Sequence, residues 1–244
     1  MSADMFEVDQ LQLYFGDDYV INDQIKIKQP TIGEVVSFGE SKYFSLVHTL
    51  TAIPSDVKAM LDDINLDWEE VDDFQLFMML TSTLPQEKTS ILFGDLDFTK
   101  FKPYRSKENG EPVLADIESG IKIDKLIYLR IVNYLRKLHN ITPKVEHAAN
   151  KTTKRILIEE DRMKTRANQN KPFKSYLFPL ISSVKVRMGY TKDYVRNMGY
   201  MELMDDLARL QIINNADHLL AGCYSGMIDT KKINKADLNW LKEI

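Results

Sequence analysis

Apolar residues recur at helical spacing through most of this chain, and that periodicity constrains the fold more than any other feature. In the first half, one stripe repeats at i, i+3, i+4 and i+7: Tyr43, Leu46, Val47 and Leu50. In the last third, a second stripe has the same spacing: Tyr200, Leu203, Met204, Leu207 and Leu210. Such stripes let one face of a helix pack on a core while the other face meets water. The sequence therefore predicts a mainly helical protein.

Two short β segments are expected within this helical pattern. Near the start, three apolar residues alternate with polar ones: Leu11, Leu13 and Phe15. Ile25 and Ile27 alternate again after a turn at Asn22-Asp23, and Asn109-Gly110 predicts a second hairpin between 98–104 and 111–115. The predicted fold class is α+β, mainly α with a small β portion. It has an N-terminal β-hairpin and helix region followed by a C-terminal helical bundle.

Several helix starts are predicted from residues that cap helices well. Thr31 and Glu34 have the spacing of a capping box, and Asp124 is placed to cap a central core helix. Ser55 is expected to cap a short helix that contains residues 57–61, and Asp67 is expected to cap another that contains residues 71–81.

The chain divides into three predicted regions. Residues 1–140 form a mixed α+β domain, 141–174 a basic linker or extended segment, and 175–244 a helical C-terminal region. The middle region begins where Ile141-Thr142-Pro143 breaks the preceding helix, and most residues between that break and position 174 are polar. At most a short exposed helix is expected inside it.

Charge is unevenly distributed along the chain. Residues 55–99 carry eleven acidic side chains against Lys58 and Lys88, a local balance of −9. Residues 144–174 carry nine basic side chains against four acidic ones, a local balance of +5. Opposite fields of this kind orient identical subunits head to tail or steer a charged partner. Two independently solvated faces explain the same pattern, so both interpretations are open.

No residue pattern indicates a catalytic or metal site. The four histidines stand outside any spacing typical of zinc ligands, and they are expected on helix surfaces or helix ends. Cys223 lies on an apolar helix stripe, rotated well away from His218, which favours a buried structural thiol. Phosphate-binding glycine loops and serine-nucleophile motifs are missing from the sequence. We therefore expect a non-enzymatic protein with no cofactor and no metal.

A cluster of methionines and tyrosines near the C-terminal end is the best candidate for binding a partner. These flexible or amphipathic side chains suit grooves that accept varied apolar helices. Ordinary core packing is the alternative explanation of the same cluster. The candidate partner-binding residues are Met188, Tyr190, Tyr194, Met198, Met201, Met204 and Tyr224.

The basic middle region is a candidate nucleic-acid interface. Its lysines and arginines would neutralise the phosphates of a bound strand, and Phe173 and Tyr176, near the end of the region, would stack on its bases. Acidic residues inside the region and a net charge of −4 for the whole chain disfavour this interpretation. The candidate basic patch is Lys151, Lys154, Arg155, Arg162, Arg166 and Lys171.

The compartment is predicted from what the chain lacks. A single cysteine forms no internal disulfide, which fits a reducing cytoplasm. The first residues have no signal-peptide pattern, and no apolar run is long enough to span a bilayer, so no membrane partner is expected.

Several segments resemble proteins of tailed phages and prophages of Gram-positive bacteria. The resemblance lies in residues 179–183, 190–194, 215–226, 228–235 and 238–240, and again in residues 25–34 and 50–56. Those proteins are associated with tail morphogenesis, in particular as tail assembly chaperones. The resemblance implies tape-measure or other tail proteins as partners, together with self-association. It implies a location in the host cytoplasm or in the virion tail, and it assigns no functional residues.

Overall fold

Helices account for most of the chain in the computed structural model, which describes residues 8–106, 110–169, 171–229, 231 and 233–242. The helices among these residues are α1 (Gln10–Phe15), α2 (Ile32–Phe38), α3 (Glu40–Thr51), α4 (Lys58–Asp63), α5 (Asp73–Thr81), α6 (Gln86–Phe93), α7 (Lys125–Leu138), α8 (Lys151–Gln169), α9 (Leu177–Met188), α10 (Lys192–Asn197) and α11 (Tyr200–Tyr224). The strands are β1 (Tyr19–Val20), β2 (Lys26–Ile27), β3 (Lys102–Arg105), β4 (Pro112–Asp116) and β5 (Ile121–Ile123). The predicted class, mainly α with a small β portion, is confirmed.

The first segment is a helix, so the strand predicted from Leu11, Leu13 and Phe15 is wrong. The Asp9 carboxylate accepts a hydrogen bond from the Leu11 amide at 2.8 Å, which caps the start of α1. Gly16, with φ of 76°, ends the helix in the left-handed conformation. Only Leu13 of the three apolar residues is buried, whereas the other two share an exposed face.

The turn predicted at Asn22-Asp23 and the strand after it are confirmed, but the strand before the turn is Tyr19–Val20 and not 11–15. Strands β1 and β2 pair antiparallel, with Tyr19 opposite Ile27. The Asn22 side-chain oxygen accepts hydrogen bonds from the amides of Gln24 at 3.0 Å and Ile25 at 2.8 Å. This local bonding replaces ladder bonds inside the turn.

The second predicted hairpin also forms, but within a three-stranded antiparallel sheet of order β3-β4-β5. Lys102 lies opposite Ala115 in the first pair of strands. Residues Phe98–Lys100 form a 3-10 turn instead of strand, and Phe98 is fully buried. Asn109 of the predicted turn lies outside the described residues, and β5 has no counterpart in the sequence-based prediction.

Two of the predicted helix caps are confirmed. The Thr31 side chain and the Glu34 carboxylate exchange hydrogen bonds with each other's backbone amides at 3.2 and 2.7 Å. The Asp124 carboxylate accepts from the Ile127 amide at 2.8 Å and starts α7.

The caps predicted at Ser55 and Asp67 are wrong. Helix α5 begins after Asp72, whose carboxylate accepts from the Phe74 amide at 2.9 Å. Asp67 instead stabilises a preceding turn by accepting from the Glu69 amide at 2.9 Å.

Helix α4 has no capping side chain of its own, because it follows Val57. Asp161 of α8 takes that role, accepting from the Ala59 amide at 2.9 Å across 102 positions of sequence. The Ser55 hydroxyl accepts a hydrogen bond from the Glu146 amide at 3.1 Å. Ser55 therefore binds the segment that precedes α8 and does not cap α4.

The main core is built around α7. Its buried residues are Tyr128, Ile131, Val132, Tyr134, Leu135 and Leu138. Residues from α3, α5 and the C-terminal helices pack in the same cluster, including Tyr43, Phe74, Leu177 and Leu203. One core therefore joins buried residues from Val8, near the start of the described chain, to Leu203 of α11.

A second, smaller core lies beneath α8. It contains the buried residues Ala52, Leu61, Trp68, Leu76 and Ile158. The segment 141–174, predicted as a linker or extended stretch, therefore contains a 19-residue helix that packs on α4. The predicted boundaries at 140 and 174 stay predictions.

A single carboxylate joins α3 to the start of α9. Tyr176, the residue that precedes α9, has no capping side-chain bond, and the Ser175 hydroxyl oxygen accepts from the Phe178 amide at 2.9 Å. The Glu40 carboxylate accepts hydrogen bonds from the amides of Tyr176 at 2.5 Å and Leu177 at 2.9 Å, and from the Ser175 hydroxyl at 2.6 Å. A negative charge at this position also interacts favourably with the helix dipole.

Helices α2 and α10 approach so closely that only glycine fits between them. A Cβ at Gly33 would lie 2.5 Å from Arg196 Cγ and 2.8 Å from the Arg196 carbonyl oxygen. The Ile32 amide also donates to the Met198 carbonyl at 2.9 Å, next to a β-bridge between Thr31 and Gly199.

We predict that Glu40→Ala lowers the free energy of unfolding by about 1–2 kcal/mol, the typical contribution of a helix cap to stability. The reason is that the amides of Tyr176 and Leu177 lose their acceptor. Urea unfolding followed by circular dichroism measures the change. Glu160→Ala, which removes an exposed carboxylate from α8, is the matched control. Equal stability of the two variants would contradict the assigned role of Glu40.

Candidate interaction surfaces

The acidic and basic segments bind each other within one chain. Lys154 of α8 lies 2.5 Å from a carboxylate oxygen of Asp67 and 2.7 Å from one of Glu69. Arg162, two turns further along α8, lies 3.1 Å from Asp62 and 2.6 Å from Asp63. Two of the nine cations in 144–174 and four of the eleven carboxylates in 55–99 therefore pair with each other and hold α8 in place.

The indole ring of Trp68 is buried beneath α8, within cation–π distance of two ammonium groups. Trp68 is 3% exposed, with Lys58 Nζ 5.4 Å and Lys154 Nζ 5.8 Å from its ring centroid. Lys58 is itself buried and forms an ion pair with Glu146 at 2.9 Å. The hydrogen bond from Lys58 lowers the pKa of Glu146, and that from Lys154 lowers the pKa of Asp67.

The candidate basic patch is divided by this docking. Lys154 and Arg162 are engaged in the ion pairs just described. The other four members are exposed, and Lys171 donates to the Asn168 side chain at 3.0 Å. The exposed members are Lys151, Arg155, Arg166 and Lys171.

The candidate methionine and tyrosine surface is also divided. Met198 is 2% exposed and belongs to the main core. Three more members are half-buried against that core: Tyr190, Met201 and Met204. The remaining three present a large surface to solvent: Met188, Tyr194 and Tyr224. Core packing thus accounts for the middle of the cluster.

A groove with aromatic walls opens between α3 and the start of α9, with a volume of about 640 Å³. We call it the aromatic groove and define it by Phe44, His139, Phe173, Tyr176 and Tyr200. The Phe44 ring lies 5.6 Å from that of Tyr176 and 5.9 Å from that of Tyr200, both edge to face. Phe173 and Tyr176 are 64% and 49% exposed, so they line an open surface. No sequence pattern reveals this groove, because its members are scattered along the chain; only Phe173 and Tyr176 stand out, as candidates for stacking on bases.

His139, which the sequence places at a helix end, is the residue after α7 and lies at the back of the aromatic groove. The Tyr43 hydroxyl lies 2.8 Å from His139 Nε2, and His139 Nδ1 lies 2.9 Å from the Leu135 carbonyl oxygen. Nδ1 must donate to that carbonyl, so a neutral ring accepts from Tyr43 through Nε2. Burial lowers the pKa of His139 to about 4, and the hydrogen bond to Leu135 opposes the shift only in part.

His218 and Cys223, the other candidates for a reactive or metal-binding site, do not line the aromatic groove. His218 is exposed on α11 and Cys223 is half-buried on the same helix. Among the described residues, no group of three His, Cys, Asp or Glu side chains is arranged to hold a metal ion. Nor does that part of the chain contain a helix long and apolar enough to cross a membrane.

Residues 168–244 match a family model described as the YomV second domain, which is associated with phages and prophages. The matched segment contains α9, α10 and α11, and it supplies Phe173, Tyr176 and Tyr200 to the aromatic groove. No curated protein and no solved structure matches the chain.

We predict that Lys154→Met loosens α8 and exposes the indole of Trp68, because two carboxylates lose their shared cation. In a Trp240→Phe background, where Trp68 is the only tryptophan, its fluorescence emission should shift to longer wavelength and become more accessible to acrylamide. Lys151→Met, an exposed change on the same helix, is the control and should leave the emission unchanged. Emission that is identical in both variants would contradict the docking role of Lys154.

We predict that His139 makes the protein less stable as the pH falls from about 6.5 towards about 4. In this window the unfolded chain binds a proton at His139 that the folded chain does not, so stability falls by about 1.4 kcal/mol per pH unit at most. His139→Gln keeps a donor and an acceptor but does not titrate. The difference in unfolding free energy between wild type and variant should change with pH in this window. A constant difference would show that the histidine is not held neutral.

Proposed function

We propose that this protein is a non-enzymatic phage tail morphogenesis protein, acting as a tail assembly chaperone for the tape-measure protein. A tape-measure protein is a long helical chain whose apolar stripes aggregate unless they are covered before the tail tube forms. The aromatic groove carries the proposal. It opens to solvent between the segment that matches the phage-associated family model and the rest of the chain.

Exposed apolar side chains support a binding role for the matched segment. Clusters of large apolar side chains in contact with water are typical of protein interaction sites. Within the matched segment the exposed members are Phe173, Tyr176, Phe178, Val186, Met188, Tyr194, Tyr224, Met227, Trp240 and Leu241. Many of these positions lie outside the methionine and tyrosine set predicted from sequence.

The aromatic groove suits the apolar stripe of an amphipathic helix. Rigid rings such as Phe44 and Tyr176 lose little conformational entropy when they are covered. A helix offers apolar side chains at i, i+3, i+4 and i+7, which is the recurring way that helices fill such grooves. We therefore place the client contact at the aromatic groove, with Met188 and Tyr194 as further exposed anchors.

The rim of the groove carries both signs of charge. Asp56, Lys144 and Lys174 all line it, together with His48. A mixed rim does not select strongly for the charge of a client. Selectivity would then come from the apolar stripe, and weak individual contacts would gain strength from many copies along one client.

A structural tail component is the alternative within the same class. A chaperone is present in infected cells and absent from purified virions, whereas a structural component is present in virions at fixed copy number. Quantitative mass spectrometry of both fractions distinguishes them. Nucleic-acid binding through the basic patch is the weaker alternative, because docking of α8 engages Lys154 and Arg162.

We predict that Phe173→Ala with Tyr176→Ala weakens binding of a helical tape-measure segment by about tenfold or more, the usual effect of removing anchor aromatics. Fluorescence anisotropy of a labelled segment measures the affinity, and light scattering measures protection of the segment from aggregation. Ile117→Ala with Met163→Ala removes similar exposed surface outside the groove and outside the matched segment, and it is the control. Equal loss in both double variants, or no loss in either, would overturn the placement of the client.

A further inference from the structure

A second groove lies between α2, α9 and α10, with a volume of about 390 Å³. We call it the cationic groove. Ile32, Ile181 and Val195 form its apolar floor. Val36 and Phe178 stand at its edges, 57% and 71% exposed. Exposed apolar side chains at the edge of a pocket are typical of a site where another molecule binds.

Every charged residue that lines this groove is a cation: Lys185, Lys192 and Arg196. Arg196 is held in place by its close packing against Gly33. None of the three forms an ion pair with another described residue. An occupant that combines apolar side chains with carboxylates would therefore complement the groove in both polarity and charge.

Helix α1 of the same chain has that combination. Leu11 and Phe15 are spaced i, i+4, so they share one face of α1, and they are 66% and 72% exposed. Asp9 caps one end of the helix, and Asp17 and Asp18 follow the other end, all three exposed. We call Leu11, Phe15 and these three aspartates the α1 knob.

Further carboxylates surround the knob. Glu202, Asp205 and Asp206 of α11 lie close to Tyr14 of α1, and after burial their charges raise the pKa of that tyrosine. Lys137 donates to the Val8 carbonyl, and Lys26 pairs with Asp18 at 2.8 Å. Asp9 caps α1, so Asp17 is the knob carboxylate that neither caps the helix nor pairs with Lys26. The surface around the α1 knob is therefore acidic.

We infer that the cationic groove of one molecule receives the α1 knob of a second copy of this chain. Leu11 and Phe15 would cover the apolar floor, while Asp17 would approach the cations of the rim. A second copy is favoured because its α1 exposes Leu11 and Phe15 on one face and has carboxylates directly before and after the helix, which complement the apolar floor and the cations of the groove. This inference goes beyond client binding and does not rest on it, because the aromatic groove uses other residues.

The contact joins two different surfaces, so each molecule keeps one free knob or one free groove after the first contact forms. Such heterologous contacts repeat into rings or open chains. The same geometry would array many molecules along an elongated client, if the protein acts on one.

Sedimentation velocity of the full chain over a range of concentrations tests the inference. The wild type should associate, and higher salt should weaken the association because charges contribute to it. Leu11→Ser with Phe15→Ser in the knob, or Val36→Glu with Phe178→Ser in the groove, should each weaken association on the order of a hundredfold. Ile117→Ser with Met163→Ser removes exposed apolar side chains outside both surfaces, so this control should associate like the wild type.

Mixing the knob variant with the groove variant is the decisive step. The first keeps an intact groove and the second an intact knob, so the mixture should form 1:1 complexes that neither variant forms alone. Asp17→Lys and Lys192→Glu serve the same design if either double variant fails to fold by circular dichroism. A wild type that stays monomeric at every concentration, association that survives both variants, or a mixture that does not associate would each overturn the inference.

Discussion

The Glu40 carboxylate at the start of α9 is the contact on which the candidate client surface depends. Ser175 caps only the Phe178 amide at the start of α9, and Glu40 accepts from the amides of Tyr176 and Leu177 from 136 and 137 positions away. The same contact holds Tyr176 beside Phe44, which lies one turn after Glu40 on α3. A partner bound at the aromatic groove would therefore meet rings that these hydrogen bonds have already positioned. Asp161 solves the equivalent problem for α4, so two helices depend on carboxylates supplied by other elements.

A small network of charges holds α8 against the acidic segment 55–99. Lys154 and Arg162 hold α8 against four carboxylates between residues 62 and 69. Lys58 holds the segment between α7 and α8 through its ion pair with Glu146. The apolar contact beneath α8 is small and centres on Ile158 and Trp68. Ion pairs near a surface contribute little one at a time, so this network acts through number and mutual placement. The cations of the cationic groove take no part in this network.

Features that depend on neighbouring residues could be predicted from sequence. Asn22, Thr31 and Asp124 each act within three positions of themselves, and the structure has all three as expected. Helix α1 was misassigned because six residues are too few to separate a helical period from alternation. Its Asp9 and Gly16 were the signals that would have corrected the assignment.

Features that depend on distant residues could not be predicted. The segment 141–174 looked like a linker because its helix is polar and its partners lie nearly ninety or more positions away. The aromatic groove draws on α3, the end of α7 and the start of α9, so no local spacing reveals it. The methionine cluster illustrates the reverse problem, since Met198 has the chemistry of a binding residue and lies in the core.

Hydrogen–deuterium exchange with and without a helical tape-measure segment tests the central claim most directly. Covering the aromatic groove should slow exchange at residues 173–177 and 139–144, which form its walls, while leaving α1 and the cationic groove unchanged. Protection confined to α11, or exchange that is the same everywhere in the presence of saturating client, would contradict the account.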